Sequence, residues 1–124
     1  MNVQQMIDHM IDSVREANGK IPRTILTEQE RLPAYKSFLM SEKEFKPETK
    51  NPLMPSEPLP ERHPDKETAI KKLELELKDF VDHYTVNSDA IITNAIFGDL
   101  NYVEWTQLLH KHAVHHLKQF GVPI

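Results

Sequence analysis

The sequence predicts an all-α fold. Three stretches, Val3 to Asn18, Asp65 to Tyr84 and Asn101 to Phe120, carry apolar residues at helical spacing behind capping signals. No stretch alternates polar and apolar residues cleanly enough to read as a strand. Between the first and second of those helices the segment Glu42 to Pro64 contains Pro47, Pro52, Pro55, Pro58, Pro60 and Pro64, a density that forbids a helix and any central strand.

The first helix starts at Asn2, which with Gln5 three residues later makes a capping box, and stops at Gly19 followed by Pro22. Val3, Met6, Ile7, Met10, Val14 and Ala17 form its apolar face. His9 lies on the margin of that face, about 110° from its centre, where a lone histidine most often meets solvent. Thr27 and Glu30 form a second capping pattern, but Pro33 tolerates a helix only in its first turn, so a short helix is expected from Pro33 to Met40. Tyr35, Phe38 and Leu39 give it an apolar edge. The proline-rich segment that follows is too long for an ordinary connection and carries Phe45, Leu53, Met54 and Leu59, which predicts an ordered wrap or lid near the mouth of a site.

Asp65 to Tyr84 presents Ile70, Leu73, Leu77, Phe80, Val81 and Tyr84 toward a core, with His83 beside that stripe near the helix C-terminus. Asn87 to Leu100 reads as a turn-rich connection. The last helix has Asn101 as N-cap, Glu104 to complete a capping box, and Gly121 and Pro123 as its stop. Trp105, Leu108, Leu109, His112, His116 and Phe120 fall within an arc of about 120° on it. His112 and His116 therefore sit inside the apolar stripe, whereas His110 and His115 lie off it. A buried imidazole with an unpaired nitrogen costs about 1 to 3 kcal/mol, so something must satisfy both rings. Spacing alone decides little: seven histidines in 124 residues give about 0.4 such pairs by chance. Two explanations stand on position: a metal ion bound by both rings, or a hydrogen-bonded pair in the core. His63, in the proline-rich segment, reads as a loop residue.

Composition narrows the classes. The 124 residues suit one domain, and 39% hydrophobic with 27% charged residues is ordinary for a soluble globular chain. No apolar run reaches the 18 or so residues of a membrane span, and no secretory signal is visible at Met1 to Gln5, so a cytoplasmic protein with no membrane partner is expected. A net charge of −4, with Lys and Glu mixed along the helices, argues against nucleic acid as a partner. The absence of cysteine removes disulfides and thiolate sites, which leaves nitrogen and oxygen donors for any metal.

The string His112-Ala113-Val114-His115-His116-Leu117-Lys118-Gln119 resembles the closing motif of the DinB-like superfamily, His, x, x, His, His, x, x, Gln. Phe97 to Tyr102, Glu104-Trp105, Lys111-His112 and Gln119-Phe120-Gly121, with the start Met1 to Met6 and His9, are similar to its DUF1569 branch. The resemblance implies an up-down-down-up helical bundle, and a metal triad of His9, His112 and His116 that leaves coordination positions open. The ion is then a divalent metal, with zinc, nickel, iron and manganese not distinguished. DinB-like bundles have a long helix before the one bearing the first histidine, and here that helix begins at Met1. The Pro33 to Met40 helix, a second subunit or chain upstream would have to fill its place. A homodimer is the expectation, because three helices alone leave a large apolar flank.

The resemblance implies two enzyme classes, thiol-dependent S-transferase and hydrolase, acting on a small-molecule substrate with a thiol cosubstrate in the first case. His115, Glu104 and Asp12 are the candidate catalytic groups. The alternatives are a non-catalytic metal- or ligand-binding protein, and a structural dimer whose histidines only hydrogen-bond.

Overall fold

The computed structural model describes residues 1–46 and 57–123. Helix α1 (Val3–Ala17) packs most extensively against α3 (Lys66–Val86) and also against α4 (Tyr102–Gln119). The predicted Asn2 capping box forms, with the Asn2 side chain accepting from Gln5 N–H and the Gln5 side chain accepting from Asn2 N–H, both at 2.8 Å. Met6, Ile7, Met10, Ile11, Val14 and Ala17 are buried, whereas Val3 is exposed.

Helix α2 (Leu32–Leu39) holds Pro33 in its first turn, as expected, and buries Leu39 completely. Thr27 does not cap it, because the Thr27 hydroxyl donates to the Ile96 carbonyl and a 3-10 turn over Gln29–Arg31 leads into the helix instead. Phe45 is half-buried against the rings of Phe38, Phe97 and His115. Leu59 is exposed. Pro47, Pro52, Leu53, Met54 and Pro55 lie outside the described residues.

The all-α expectation is overturned by an antiparallel hairpin in the stretch read as an irregular connection. Strands β1 (Ile92–Asn94) and β2 (Gly98–Leu100) pair Ile92 with Leu100, Thr93 with Asp99 and Asn94 with Gly98. Side-chain turn chemistry builds it: Asn94 Oδ1 accepts from the backbone N–H of Ile96 and Phe97, and Gly98 closes the turn at φ +86. Three residues per strand are too few for alternation to register. The hairpin orders the core, since Ala95, Phe97 and Leu100 are buried and the Ile92 carbonyl accepts from Trp105 Nε1 at 3.0 Å.

Helix α3 is rotated from the predicted orientation. Its buried line runs through Ala69, Glu76, Phe80 and Tyr84 with Leu73 half-buried, while Ile70, Leu77 and Val81 are 39%, 43% and 50% exposed. Glu76, at 1% exposure, is tolerated because it accepts from Asn18 Nδ2, Lys20 Nζ and Lys72 Nζ at 3.0–3.2 Å. Lys111 on α4 is likewise buried, its ammonium donating to the carbonyls of Ser41 and Lys43 and facing the Phe38 ring. Among the described residues no helix is long and apolar enough to cross a membrane.

Candidate metal centre

The helical spacing of four aims His112 and His116 from α4 toward α1, where His9 meets them. The three rings lie edge to face, with centroids 4.5 to 4.9 Å apart. His112 Nε2 is 2.9 Å from His9 Nε2 and 2.8 Å from His116 Nε2, and the ligand atoms of all three lie within 4.8 Å of one another. His116 is buried and the other two are half-buried, His9 having left the margin of the stripe because α4 packs over it.

Each imidazole nitrogen carries either a proton or an in-plane lone pair. Gln119 Oε1, which can only accept, lies 3.0 Å from His116 Nδ1, so that nitrogen carries the proton and His116 Nε2 presents its lone pair. If His112 Nε2 is protonated it donates to His116, and His9 gains no acceptor there. If it is not, His112 and His116 set lone pair against lone pair at 2.8 Å. A proton on His112 Nε2 can serve both contacts only as one shared, three-centre hydrogen bond, and every other arrangement leaves a contact unpaired. A cation serves the cluster better, because three lone pairs then point at it.

Electrostatics favour that donor set. Burial pushes the His9 pKa down to about 4, with the neighbouring His116 adding to the shift, and Asp12 opposing it. Burial, then His9 and His116, push His112 down to about 2. His116 is lowered by burial against the opposing hydrogen bond to Gln119. All three are neutral at pH 7, the form that ligates. Two nitrogens on a tetrahedral ion at about 2.0 to 2.1 Å stand about 3.3 Å apart. The two separations from His112 Nε2, 2.9 and 2.8 Å, would open by about half an ångström to hold such an ion.

A cleft of about 30 Å³, water-sized, lies beside His9 and is lined by Gln5, Asp12, Pro58, Leu59 and Arg62. The described part of the proline-rich segment thus stands next to the site. It is held on the polar face of α1: Gln5 Nε2 donates to the Leu59 carbonyl at 3.0 Å, and Gln4 Nε2 donates to the His63 carbonyl at 2.6 Å. Arg62 donates to Asp12 Oδ1 at 2.9 Å and to the Asp8 carbonyl at 2.6 Å. His63 is more than a loop residue, because its Nδ1 lies 2.8 Å from Oδ1 of buried Asp8, whose Oδ2 accepts from Arg62 N–H.

Of the candidate catalytic groups only Asp12 lines this cleft. Glu104 completes the capping box of α4 with Asn101 and pairs with Lys36 at 3.1 Å, eight residues and about 12 Å of helix from His112. His115 turns from the triad toward Phe45, and its Nε2 lies 3.3 Å from the Gln119 amide nitrogen. His83 rests against Tyr84, and His110 is exposed. Gln119, Asp8 and Arg62 were given no role from sequence. The spacing of Gln119, three after His116 and four after His115, is a usable signal. The Asp8 contacts span 54 and 55 positions and leave none.

No curated protein matches the chain, and no solved structure matches it. A family described as "Protein of unknown function (DUF1569)" matches residues 3–122, and those bounds take in all three histidines of the cluster. The chain therefore belongs to the DUF1569 family.

Proposed function

We propose that this protein binds a divalent metal ion through His9, His112 and His116, and uses the ion's open positions as a metal-dependent enzyme of the S-transferase or hydrolase type. The observation that carries the reading is the convergence of three neutral imidazoles whose ligand atoms lie within 4.8 Å of one another and which protons can satisfy only through one shared, three-centre bond. A bound divalent ion supplies Lewis acidity toward water, a thiol or a carbonyl. The chain's own residues do the rest. Two helices hold the ligands, and the loop residues Pro58 to Arg62 line a small cleft beside His9. Asp12, held by Arg62, is the proton acceptor lining that cleft. Of zinc, nickel, iron and manganese, the all-nitrogen donor set suits the first three better than manganese, which prefers oxygen ligands. The closing motif His112 to Gln119 supports a place among the DinB-like proteins.

A second reading, a non-catalytic histidine cluster held by hydrogen bonds, draws support from separations of 2.8 and 2.9 Å, which are hydrogen-bond lengths. The two part on metal content per chain at neutral pH, in untagged protein never exposed to chelator, against the double variant His112→Ala, His116→Ala. Near-stoichiometric metal in the parent alone supports the first reading and warrants assays of thiol transfer and hydrolysis on small molecules. No uptake of added zinc, nickel, iron or manganese refutes it. Bound metal also raises stability, by about 4 kcal/mol at a thousandfold excess over Kd. A homodimer is proposed as well, supported by the apolar stripe Ile70, Leu77 and Val81 that the described residues leave exposed.

A further inference from the structure

Each ligand ring has a second nitrogen, and what holds it sets the tautomer and aim of the first. Among the described residues, Nδ1 of His116 has a side-chain hydrogen-bond partner, Gln119, whereas no such partner is found for Nδ1 of His9 or His112. The Gln119 amide is itself oriented. Its Oε1 faces His116 Nδ1 at 3.0 Å and its Nε2 faces His115 Nε2 at 3.3 Å, so the amide is polarised from one histidine to the other. His115 Nε2 then accepts, which places its proton on Nδ1. Gln119 is exposed and is the last residue of α4, where it buries little apolar surface. Its contacts serve the two rings.

We infer that Gln119 is a positioning residue for the metal centre: its carbonyl holds the His116 proton on Nδ1 and so keeps the Nε2 lone pair aimed at the point shared with His9 and His112. The inference rests on the metal-binding reading for its functional meaning, but the tautomer can be read without metal. It also accounts for the spacing of the closing motif. Position 115 has no direct part in the triad, and Gln119 lies four residues after it and three after His116 on the same helix.

The test compares parent, Gln119→Leu and Gln119→Glu. Long-range proton–nitrogen NMR correlations on the metal-free proteins report the His116 tautomer, and competition with a chromophoric chelator reports Zn2+ affinity at about pH 7.5. Parent and Gln119→Glu, which keep an acceptor, are expected to hold the proton on Nδ1. Gln119→Leu is expected to give a tautomer mixture and to bind Zn2+ about 10- to 100-fold more weakly. A Gln119→Leu spectrum identical to the parent's overturns the inference, and so does Zn2+ affinity within twofold of the parent's. If the parent binds no Zn2+, the metal reading fails by itself, and the metal-free spectra still decide whether Gln119 sets the tautomer.

Discussion

Acid should destabilise the metal-free protein through the triad, and the size of the effect follows from its burial. In the unfolded chain each histidine takes up a proton near pH 6.5. In the folded chain burial, reinforced by neighbouring imidazoles, delays this to about 4 for His9 and about 2 for His112. Between those values and pH 6.5 the unfolded state holds more protons, so stability falls as pH falls, by about 1.4 kcal/mol per histidine for each pH unit. At pH 5.5 the two together remove about 3 kcal/mol, and His116, shifted the same way, adds to it. That is a large part of the 5 to 15 kcal/mol typical of a domain. Urea unfolding in the presence of chelator, at about pH 7.5 and about pH 5.5, measures it in the parent and in His9→Gln, His112→Gln. The parent should lose about 3 kcal/mol more than the double variant. Equal losses would refute burial as the control on these rings.

Glu76→Ala leaves two lysines and Asn18 without their shared acceptor and should cost about 2 kcal/mol by chemical denaturation, less than a fully buried pair because Lys20 and Lys72 are partly exposed. Although burial opposes it, hydrogen bonds from Lys72, Lys20 and Asn18 hold the Glu76 carboxyl below its ordinary value. Its contribution is present above that ordinary value, 4.5, and is lost as pH falls through the folded one. Glu76→Gln should therefore show a flatter acid limb. Gly98→Ala, at φ +86 and with its new methyl 3.4 Å from Leu32, should cost about 1 to 2 kcal/mol in a thermal melt. The proposed dimer should sediment at twice the chain mass and revert to monomer in Leu77→Lys, Val81→Lys; a monomeric parent removes that proposal.

What could be read in advance was local. Both capping boxes, Asn2 with Gln5 and Asn101 with Glu104, act within one turn, and both form. His112 and His116 were recognisable because four residues on a helix fix their relation whatever the rest of the chain does. His9 was marginal on its own helix. Its place depends on α1 meeting α4 across 103 positions, and only the family resemblance pointed there. The hairpin escaped because its signal is a side-chain turn at Asn94 and a positive φ at Gly98, with no pattern along the strands. The α3 stripe is legible only in part, Leu73, Phe80 and Tyr84 facing inward but Ile70, Leu77 and Val81 outward, for a similar reason. Nothing near Glu76 in sequence tells that Lys20, 56 positions away, will help neutralise it and let the helix turn that face inward.

The hydrogen bond from Trp105 to the Ile92 carbonyl has an optical consequence. Trp105 is the chain's single tryptophan, it is 1% exposed, and it stands seven residues before His112 on the same rigid helix, about 10 Å along the axis. Its fluorescence should be blue-shifted and free of competing emitters of the same kind. An open-shell ion such as Ni2+ or Cu2+ at the triad would lie close enough to quench it, whereas closed-shell Zn2+ would leave it bright. The protein thus carries its own lamp beside the three histidines, and one cuvette titration can test which kind of ion binds there.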